Sequence, residues 1–363
     1  MDGCWQKTPL LIPAALPEVQ GLIDKKALLA IACEPAAEAR LIVADRKQKD
    51  WQCEQGPFKA KHLKSLPSSH WTLLVQAVDQ WMPEVAALLT HFDFLPRWRL
   101  DDIMISYATA GGGVGPHFDY YDVFLLQASG TRRWQIGQHC DETSSLRDHP
   151  DMKLLKQFKQ AAAYDVKAGD MLYIPAGVAH WGTATSDDCI TISIGFRAAS
   201  QRELIQMALE KIAGQLPESE RYRDTKAAID ADPFCINTHA VTNAQQFWKN
   251  LDAETIKQAL AQALGEYATE PKYPDHIDSE KNVNKINLKK LASLQHNIAG
   301  RFSYRSLDNK KAELYVDGET HTTSLKLAQA ICHLTITPAL LKKPADQQLV
   351  LTLINQGSLI FGK

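Results

Sequence analysis

The most informative stretch of the sequence is GGGVGPHFDYYDVFLLQ, residues 111–127. Its run of glycines lets the backbone turn sharply or approach other groups closely. His117 and Asp119 follow, and on a strand two residues at this spacing project from the same face. An imidazole and a carboxylate side by side can hold a divalent metal ion. The stretch therefore predicts one edge of a metal site.

A second stretch, GDMLYIPAGVAH at residues 169–180, supplies a partner for this edge. A Gly-Asp turn starts an apolar strand there, and a Pro-x-Gly turn after the strand presents His180. Two histidines and one carboxylate leave three positions open on an octahedral ion, which is the ligand set of non-haem Fe(II) oxygenases. A keto acid can take two of these positions and O2 the third. We therefore predict that His117, Asp119 and His180 hold iron.

The H-x-D pair alone is weak evidence, because it can arise by chance in a chain with twelve histidines. The second motif, which follows after intervening strands, changes that balance. We expect the remaining histidines to be solvated or structural.

Short β-type runs extend outward from these two motifs, from about Arg99 to Arg197. Many short strands with Gly, Pro and Asp between them indicate a sandwich or jelly roll. The more helical and polar residues 144–163 would form an excursion off this barrel. The predicted strands are residues 104–108, 123–127, 133–136, 171–174 and 189–196.

Helical patterns lie on both sides of the predicted barrel. Apolar residues at helical spacing predict a helix over 71–89, and Ser200 with Glu203 forms a capping box at the start of a second helix. Asp317-Gly318 predicts a hairpin turn between residues 312 and 322. Further helices are predicted at 244–267, 288–299 and 324–334, with a last one from about residue 344, and residues 270–287 are predicted to be a linker.

The overall composition restricts the class of protein. A chain of 363 residues is long enough for two or three domains, and 45% hydrophobic and 23% charged residues are typical of a globular protein. The formal net charge of -2 and the lack of a polybasic run give no sign of membrane binding and argue against sequence-independent binding to nucleic acid, although they leave room for a local basic patch. Seven scattered cysteines without a C-x-x-C pair favour reduced thiols and a cytoplasmic location. We expect no secretion signal and no membrane span.

A keto-acid cosubstrate needs a cation for its distal carboxylate, and arginine supplies a permanently charged, bidentate one. In GTRRW, residues 130–134, Arg132 and Arg133 stand at the start of a strand, where only one of them can point inward. Alternation alone does not say which. Two other strands have one polar face, which either lines the barrel or faces solvent: Thr191 and Ser193 in one, Asp102 with Met104 and Ser106 in the other.

These motifs together resemble one family, the bacterial JmjC-type ribosomal oxygenases that hydroxylate an arginine of a large-subunit ribosomal protein. The similarity lies in GGGVGPHFDYYDVFLLQ, GTRRW, GDMLYIPAGVAH and SIGFRA, and in the N-terminal segments WQKTPLLI and WTLLVQAVDQW. It implies a mainly β core, a double-stranded β-helix of the cupin-like jelly-roll class. The domains it implies are an N-terminal part wrapping the barrel (1–98), the catalytic core (99–199), a helical dimerisation region (200–270) and a winged-helix-like domain (288–363).

The resemblance also implies roles for individual residues. His117, Asp119 and His180 would bind Fe(II), and Arg132 and Ser106 would bind 2-oxoglutarate. The product would be an arginine hydroxylated at C3. Because some relatives carry three arginines in the turn, Arg133 remains an alternative clamp for 2-oxoglutarate. The residues implied in recognition of the substrate arginine are Asp102, Met104, Tyr121 and Ser193.

Three other functions remain open at this point. A JmjC lysine demethylase would use the same iron chemistry but would favour an aromatic cage over an acid such as Asp102. A non-oxidative cupin would bind a metal such as zinc or manganese without needing 2-oxoglutarate. A nucleic-acid-binding regulator would use the C-terminal module, although the near-neutral charge argues against it.

Overall fold

The computed structural model describes residues 3–224, 226, 234–249, 251–277 and 283–362. The chain forms two compact units, Met1–Ala198 and Ala199–Lys363. The first unit is mainly β. Its strands are β1 (Leu10–Ile12), β2 (Ala39–Ala44), β3 (Trp51–Gln55), β4 (Trp71–Val75), β5 (Leu100–Ala108), β6 (Val123–Ser129), β7 (Thr131–His139), β8 (Ala162–Lys167), β9 (Met171–Ile174), β10 (Val178–Ala184) and β11 (Cys189–Phe196).

Two antiparallel sheets build the barrel of this unit. The larger sheet has eight strands in the order β1-β9-β6-β11-β5-β4-β2-β3, and the smaller has the order β10-β7-β8. Apolar side chains from both sheets pack into one cluster between them, which includes Leu125, Trp134, Ile136, Val166 and Leu172. This arrangement confirms the predicted jelly-roll class. The predicted strands at 171–174 and 189–196 match β9 and β11 in both bounds.

The outer face of the larger sheet is covered by the N-terminal part of the chain. The isoleucines of β5 and β11 join a core with Leu28 and Ile31 of α1 (Lys25–Ile31) and with Val19 from a 3-10 turn. Two short helices, α2 (Ala60–Lys64) and α3 (Pro83–Ala86), complete this layer. With its outer face buried in this way, the sheet presents its polar face to the barrel interior.

The predicted helix over residues 71–89 is wrong. Trp71–Val75 is strand β4, which pairs with β2 on one side and β5 on the other. All five of its residues are buried, so its apolar run reflects a strand buried on both faces rather than a helical stripe. Beyond it the chain makes only 3-10 turns and the short helix α3, which begins at Pro83.

Two other helix predictions are also wrong. Residues 144–161 of the excursion are irregular, with one isolated bridge between Leu146 and Leu155, because the buried Leu154 and Leu155 pack inward instead of forming a helical stripe. The predicted helix at 288–299 is a 3-10 segment followed by strand β12 (Leu294–His296), whose backbone pairs with the C-terminal strand β16 (Leu359–Phe361).

The second unit begins with the predicted capping box. The Ser200 hydroxyl accepts a hydrogen bond from the Glu203 N–H at 3.1 Å, and the Glu203 carboxylate accepts one from the Ser200 N–H at 2.8 Å. The helix they start packs on a later one through Ala208, Ile212 and Ala263. The helices of this unit are α4 (Gln201–Gln215), α5 (Thr238–Ala244), α6 (Gln246–Lys249), α7 (Ala253–Thr269), α8 (Leu325–Cys332) and α9 (Pro344–Asn355).

A small three-stranded sheet completes the second unit. It consists of β13 (Phe302–Ser306), β14 (Lys311–Val316) and β15 (Glu319–Ser324), and its hairpin turns at Asp317-Gly318 as predicted. The predicted linker overlaps residues 278–282, which lie outside the described part of the chain. The winged-helix assignment and the dimerisation role of the helices stay predictions. No helix within the described residues has the length and apolar character to cross a membrane.

Candidate metal centre

Backbone hydrogen bonds bring the two histidine motifs together. The His117 N–H donates to the His180 carbonyl at 3.1 Å, and the His180 N–H donates back to the His117 carbonyl at 2.8 Å. Next to this bridge, the Gly177 N–H donates to the Asp119 carbonyl at 2.7 Å. The turn that carries Gly177 thus closes on the H-x-D segment, although the two are far apart in sequence.

The three side chains converge on one point. The Oδ2 atom of Asp119 lies 3.6 Å from Nε2 of His180 and 3.9 Å from Nε2 of His117. One possible ligand atom from each residue lies within 4.8 Å of those of the other two. Adjacent ligands bonded to an ion at about 2.1 Å would lie about 3 Å apart, so a small inward movement is enough to bind one.

Both imidazoles are oriented by hydrogen bonds on the far side of the ring. Nδ1 of His117 lies 3.0 Å from the Gly115 carbonyl, and Nδ1 of His180 lies 3.0 Å from the Val178 carbonyl. Each Nδ1 must therefore carry the proton, which leaves the Nε2 lone pair directed at the centre. Burial, and then the neighbouring His117, lower the pKa of His180 to about 4. Its ring is consequently neutral, and able to bind a metal, at neutral pH.

Two glycines of the first motif are required by close approach of the backbone. A Cβ on Gly112 would lie 2.3 Å from the Trp71 carbonyl oxygen, and one on Gly113 would lie 2.3 Å from the Gly182 carbonyl oxygen. Atoms cannot approach this closely without a shift of the backbone. The glycine run therefore allows the segment before His117 to pack directly between two strands.

Arg132 and Arg133 point to opposite sides of β7. Arg133 is on the surface, where its Nη1 donates to Asp165 at 2.9 and 3.0 Å. Arg132 is only 3% exposed, and its Nε and Nη2 atoms have no hydrogen-bond partner among the described residues. A buried cation without partners is costly, so the interior needs an anion at this point. The structure thus makes Arg132, and not Arg133, available to a ligand in the barrel.

Hydroxyl side chains line the same interior. Ser106, Thr191 and Ser193 are all buried, and the Thr191 hydroxyl donates to Oε1 of Gln127 at 2.9 Å. The sequence did not lead us to predict that Gln127 lies in the barrel interior, although a single amide in the otherwise apolar run VFLLQ pointed to it. Trp134 was also missed; its ring lies 5.6 Å from the Arg132 guanidinium carbon, and its buried Nε1 has no partner among the described residues.

The residues predicted to recognise a substrate lie on the polar inner face of the larger sheet or beside it. Asp102 is buried and accepts a hydrogen bond from the Ala77 N–H at 3.0 Å. Tyr121 is 42% exposed, yet the pKa of its phenol is raised, first by burial and then by the carboxylates of Asp119 and Asp102. The phenol thus stays protonated even close to the carboxylates of Asp119 and Asp102. Met104 is half-buried beside an apolar cluster on the inner face of the sheet.

The part of the chain that carries this centre is similar to a known domain family. Residues 87–204 match the family model of the JmjC domain. The matched segment contains all three converging side chains and both arginines of β7.

Two curated bacterial proteins are similar in sequence. A Haemophilus influenzae protein named "Probable ribosomal oxygenase" is 39% identical over 215 residues, which cover 59% of this chain and 52% of that protein. The Escherichia coli "Ribosomal protein uL16 3-hydroxylase" is 39% identical over 211 residues, covering 56% of this chain and 53% of the relative. The aligned part of the chain thus spans about half the length of these relatives.

Solved structures extend the similarity to almost the whole chain. The X-ray structure of E. coli YcfD has a TM-score of 0.81 at 27% identity and covers 99% of this chain and 96% of that one. A structure of YcfD, a ribosomal oxygenase from E. coli, in complex with cobalt and 2-oxoglutarate has a TM-score of 0.79 at 26% identity and covers the same shares of both chains.

Proposed function

We propose that this chain, which carries a JmjC domain, is an Fe(II)- and 2-oxoglutarate-dependent oxygenase that hydroxylates C3 of an arginine in a large-subunit ribosomal protein. The observation that carries the proposal is the pairing of two features in one barrel. A cluster of two histidines and one aspartate could hold a metal ion, and the Nε and Nη2 atoms of the buried Arg132 have no hydrogen-bond partner among the described residues.

The metal centre would consist of His117, Asp119 and His180. Two neutral imidazoles and one carboxylate suit Fe(II) and leave the positions that a keto acid and O2 require. When bound there, iron with 2-oxoglutarate and O2 supplies the oxidising power to hydroxylate a carbon. The protein's part is to orient the two imidazoles through the Nδ1 hydrogen bonds to backbone carbonyls, so that both Nε2 atoms would be available to the ion beside the Asp119 carboxylate.

Arg132 would bind the distal carboxylate of 2-oxoglutarate, with help from the Ser106 hydroxyl. A guanidinium presents two parallel N–H groups to a carboxylate, and the pair is strong where water is excluded. The cosubstrate would give Arg132 the anion that its buried position lacks. Arg133, which is already paired with Asp165 on the surface, would have no part in binding.

Asp102, Met104, Tyr121 and Ser193 would receive the substrate arginine. The Asp102 carboxylate complements a guanidinium, and the ring of Tyr121 offers a face on which a guanidinium can stack. An acidic site favours arginine over the methylated lysine of a demethylase substrate, which aromatic cages recognise. The name of the E. coli relative, a uL16 3-hydroxylase, supports a ribosomal protein as the substrate.

The helices of the second unit would form a homodimer. Ile205 and Leu209 on α4 and Ile256 and Leu260 on α7 are exposed apolar residues at helical spacing, as expected of an unpartnered face. Light scattering of the purified protein tests this assembly. We further propose a cytoplasmic location and no direct binding to DNA, in line with the near-neutral charge.

The activity is tested by incubating the protein with Fe(II), 2-oxoglutarate, O2 and E. coli uL16. We expect succinate to form and uL16 to gain one oxygen atom on an arginine, located by peptide mass spectrometry. Asp119→Ala should give neither product. Succinate without modified uL16 would retain the oxygenase and reject this substrate, whereas the absence of both with the wild-type protein would contradict the proposed chemistry.

A further inference from the structure

The pairing of strands β5 and β11 has a register shift near the start of β5. Ile194 pairs with Ile103, whereas Phe196 pairs with Leu100, so β5 has one residue more than β11 in this interval. A β-bulge of this kind bends its strand and re-aims side chains, and bulges are frequent beside active sites. The extra residue arises because two consecutive aspartates of β5 lie opposite the single residue Gly195 of β11.

At the bulge, the two aspartates have different hydrogen-bond partners. Oδ1 of Asp101 accepts a hydrogen bond from Nε of Arg197 at 2.9 Å, at the strand end. Asp102 is buried, and its Oδ2 atom accepts from the Ala77 N–H. The backbone donor therefore fixes the orientation of the Asp102 carboxylate.

Gly195 faces the other oxygen of this carboxylate and the ring of Tyr121. A Cβ placed on Gly195 would lie 3.8 Å from Oδ1 of Asp102, 3.9 Å from the Asp102 carbonyl oxygen and 3.9 Å from Cε2 of Tyr121. These are ordinary van der Waals distances. The backbone of Gly195 is not in the left-handed region, so an alanine could adopt it. Neither steric crowding nor backbone strain accounts for a glycine here.

A glycine in the interior of a strand normally lowers stability, by about 0.5–1 kcal/mol relative to alanine. Such a glycine commonly marks a bulge, as here, or a place where a ligand or another backbone approaches closely. The position of that Cβ is within van der Waals distance of both a carboxylate oxygen and an aromatic ring, and a flat cation can contact these two groups at once.

We propose that Gly195 is a specificity-determining residue, because its missing side chain leaves a slot for a guanidinium between Asp102 and Tyr121. This inference rests on the proposed function and adds to it the residue that sets the width of the substrate site. A guanidinium needs about 2.9 Å to a carboxylate oxygen and about 3.5–4.0 Å to the ring. A methyl group on Gly195 would occupy the volume in which the guanidinium meets these distances.

The test compares Gly195→Ala and Gly195→Val with the wild-type protein. The probes are overlapping peptides that cover every arginine of E. coli uL16, titrated calorimetrically and without O2 into protein loaded with Mn(II) and 2-oxoglutarate. We expect the alanine variant to weaken binding of the peptide by at least about tenfold, which corresponds to about 1.4 kcal/mol, and the valine variant to weaken it further.

Two measurements separate a closed slot from general damage. The affinity for 2-oxoglutarate and the midpoint of thermal unfolding should not fall in Gly195→Ala, because its Cβ makes no close contact. Gly214→Ala is the matched control, since Gly214 lies on α4 with no heavy atom within 4 Å of the added Cβ. We expect this variant to bind the peptide like the wild type.

The possible outcomes distinguish this inference from the proposed function. If the wild type binds a peptide and Gly195→Ala binds it equally well, the proposed role of Gly195 is wrong, and the proposed function is unaffected. If Gly195→Ala loses 2-oxoglutarate along with the peptide, the glycine is structural and the slot is also wrong. If the wild type binds 2-oxoglutarate but none of the peptides, the proposed substrate is wrong, and so is the proposed role of Gly195 in binding it.

Discussion

The two faces of strands β5 and β11 are both buried, but they carry opposite chemistry. Ile103, Ile105, Ile192 and Ile194 on the outer face are fully buried in the apolar core of the first unit. The inner face bears Asp102, Ser106, Thr191 and Ser193, which are almost as inaccessible to water.

The outer face contributes only to the stability of the fold, whereas the inner face carries polar groups that could also contact a ligand. The isoleucines are complemented by other apolar side chains of the same chain, so their contribution is complete once the protein folds. Across the barrel from the inner face, the buried Arg132 lacks acceptors within the described structure. A protein keeps such a costly arrangement when its function requires it. The two faces should therefore respond to mutation in different measurements.

The largest effect is expected from Asp119→Ala. Loss of the only carboxylate in the cluster removes the ligand that balances the charge of the metal, so Fe(II) binding and succinate formation should fall below detection. The fold should persist, because Asp119 is partly exposed and outside the apolar core. Metal titration measures the loss of Fe(II) binding, and circular dichroism checks that the fold persists. Full activity in the variant would exclude Asp119 as a ligand.

Arg132→Met should have the second-largest effect, on the affinity for 2-oxoglutarate. Truncation of one partner of a buried ion pair costs about 2–5 kcal/mol, so the affinity for 2-oxoglutarate should fall by a factor of at least about 30. Without ligand, the stability of the variant should be unchanged or higher, since an unpaired buried cation has been removed.

Arg133→Met is the matched control for this variant. It removes only an exposed pair with Asp165, which contributes about 0–1 kcal/mol to stability, and it should leave cosubstrate binding intact. Calorimetric titration of 2-oxoglutarate into both variants decides between the two arginines. A larger loss for Arg133→Met would reverse the assignment.

Ile105→Ala tests the outer face with an effect of similar size on a different quantity. Truncation of a fully buried isoleucine lowers the free energy of unfolding by about 2–5 kcal/mol. The affinity of the folded fraction for 2-oxoglutarate should not change. Denaturant unfolding and ligand titration measure the two quantities. A variant with normal stability and weakened cosubstrate binding would refute the division between the faces.

Apart from the control Arg133→Met, Thr191→Val should have the smallest effect. It removes the hydroxyl that donates to Gln127 and leaves a buried amide oxygen without this donor, at a cost of about 1–3 kcal/mol to stability. Thr191→Ser retains the hydroxyl and should recover most of that loss. If both variants unfold like the wild type, this hydrogen bond contributes nothing to stability.

The sequence was most informative where function constrains short motifs. H-x-D, the Gly-Asp strand and the later histidine predicted a cluster that the structure brings together, because two-residue alternation on a strand is a local property. The same alternation could not decide between Arg132 and Arg133, since it fixes that they point apart but not which one faces inward. That choice follows from the pairing of β7 with β10 and β8.

Long-range pairing explains what could not be predicted. The extension of the larger sheet by β2, β3 and β4 depends on contacts between distant segments, and the apolar run of β4 was mistaken for a helix for this reason. Likewise, the sequence predicts the strand that contains Gly195 and its polar face, but it gives no role to the glycine. Only the register with β5 reveals a bulge opposite it, and only the folded structure places it beside Asp102 and Tyr121.

The most direct test of the metal and cosubstrate site is an anaerobic titration of 2-oxoglutarate into the protein with and without Fe(II). We expect tight binding only when Fe(II) is present and Arg132 is intact, and we expect its loss in both Asp119→Ala and Arg132→Met. Binding that does not depend on Fe(II) and is unaffected by both substitutions would contradict a site formed by these residues.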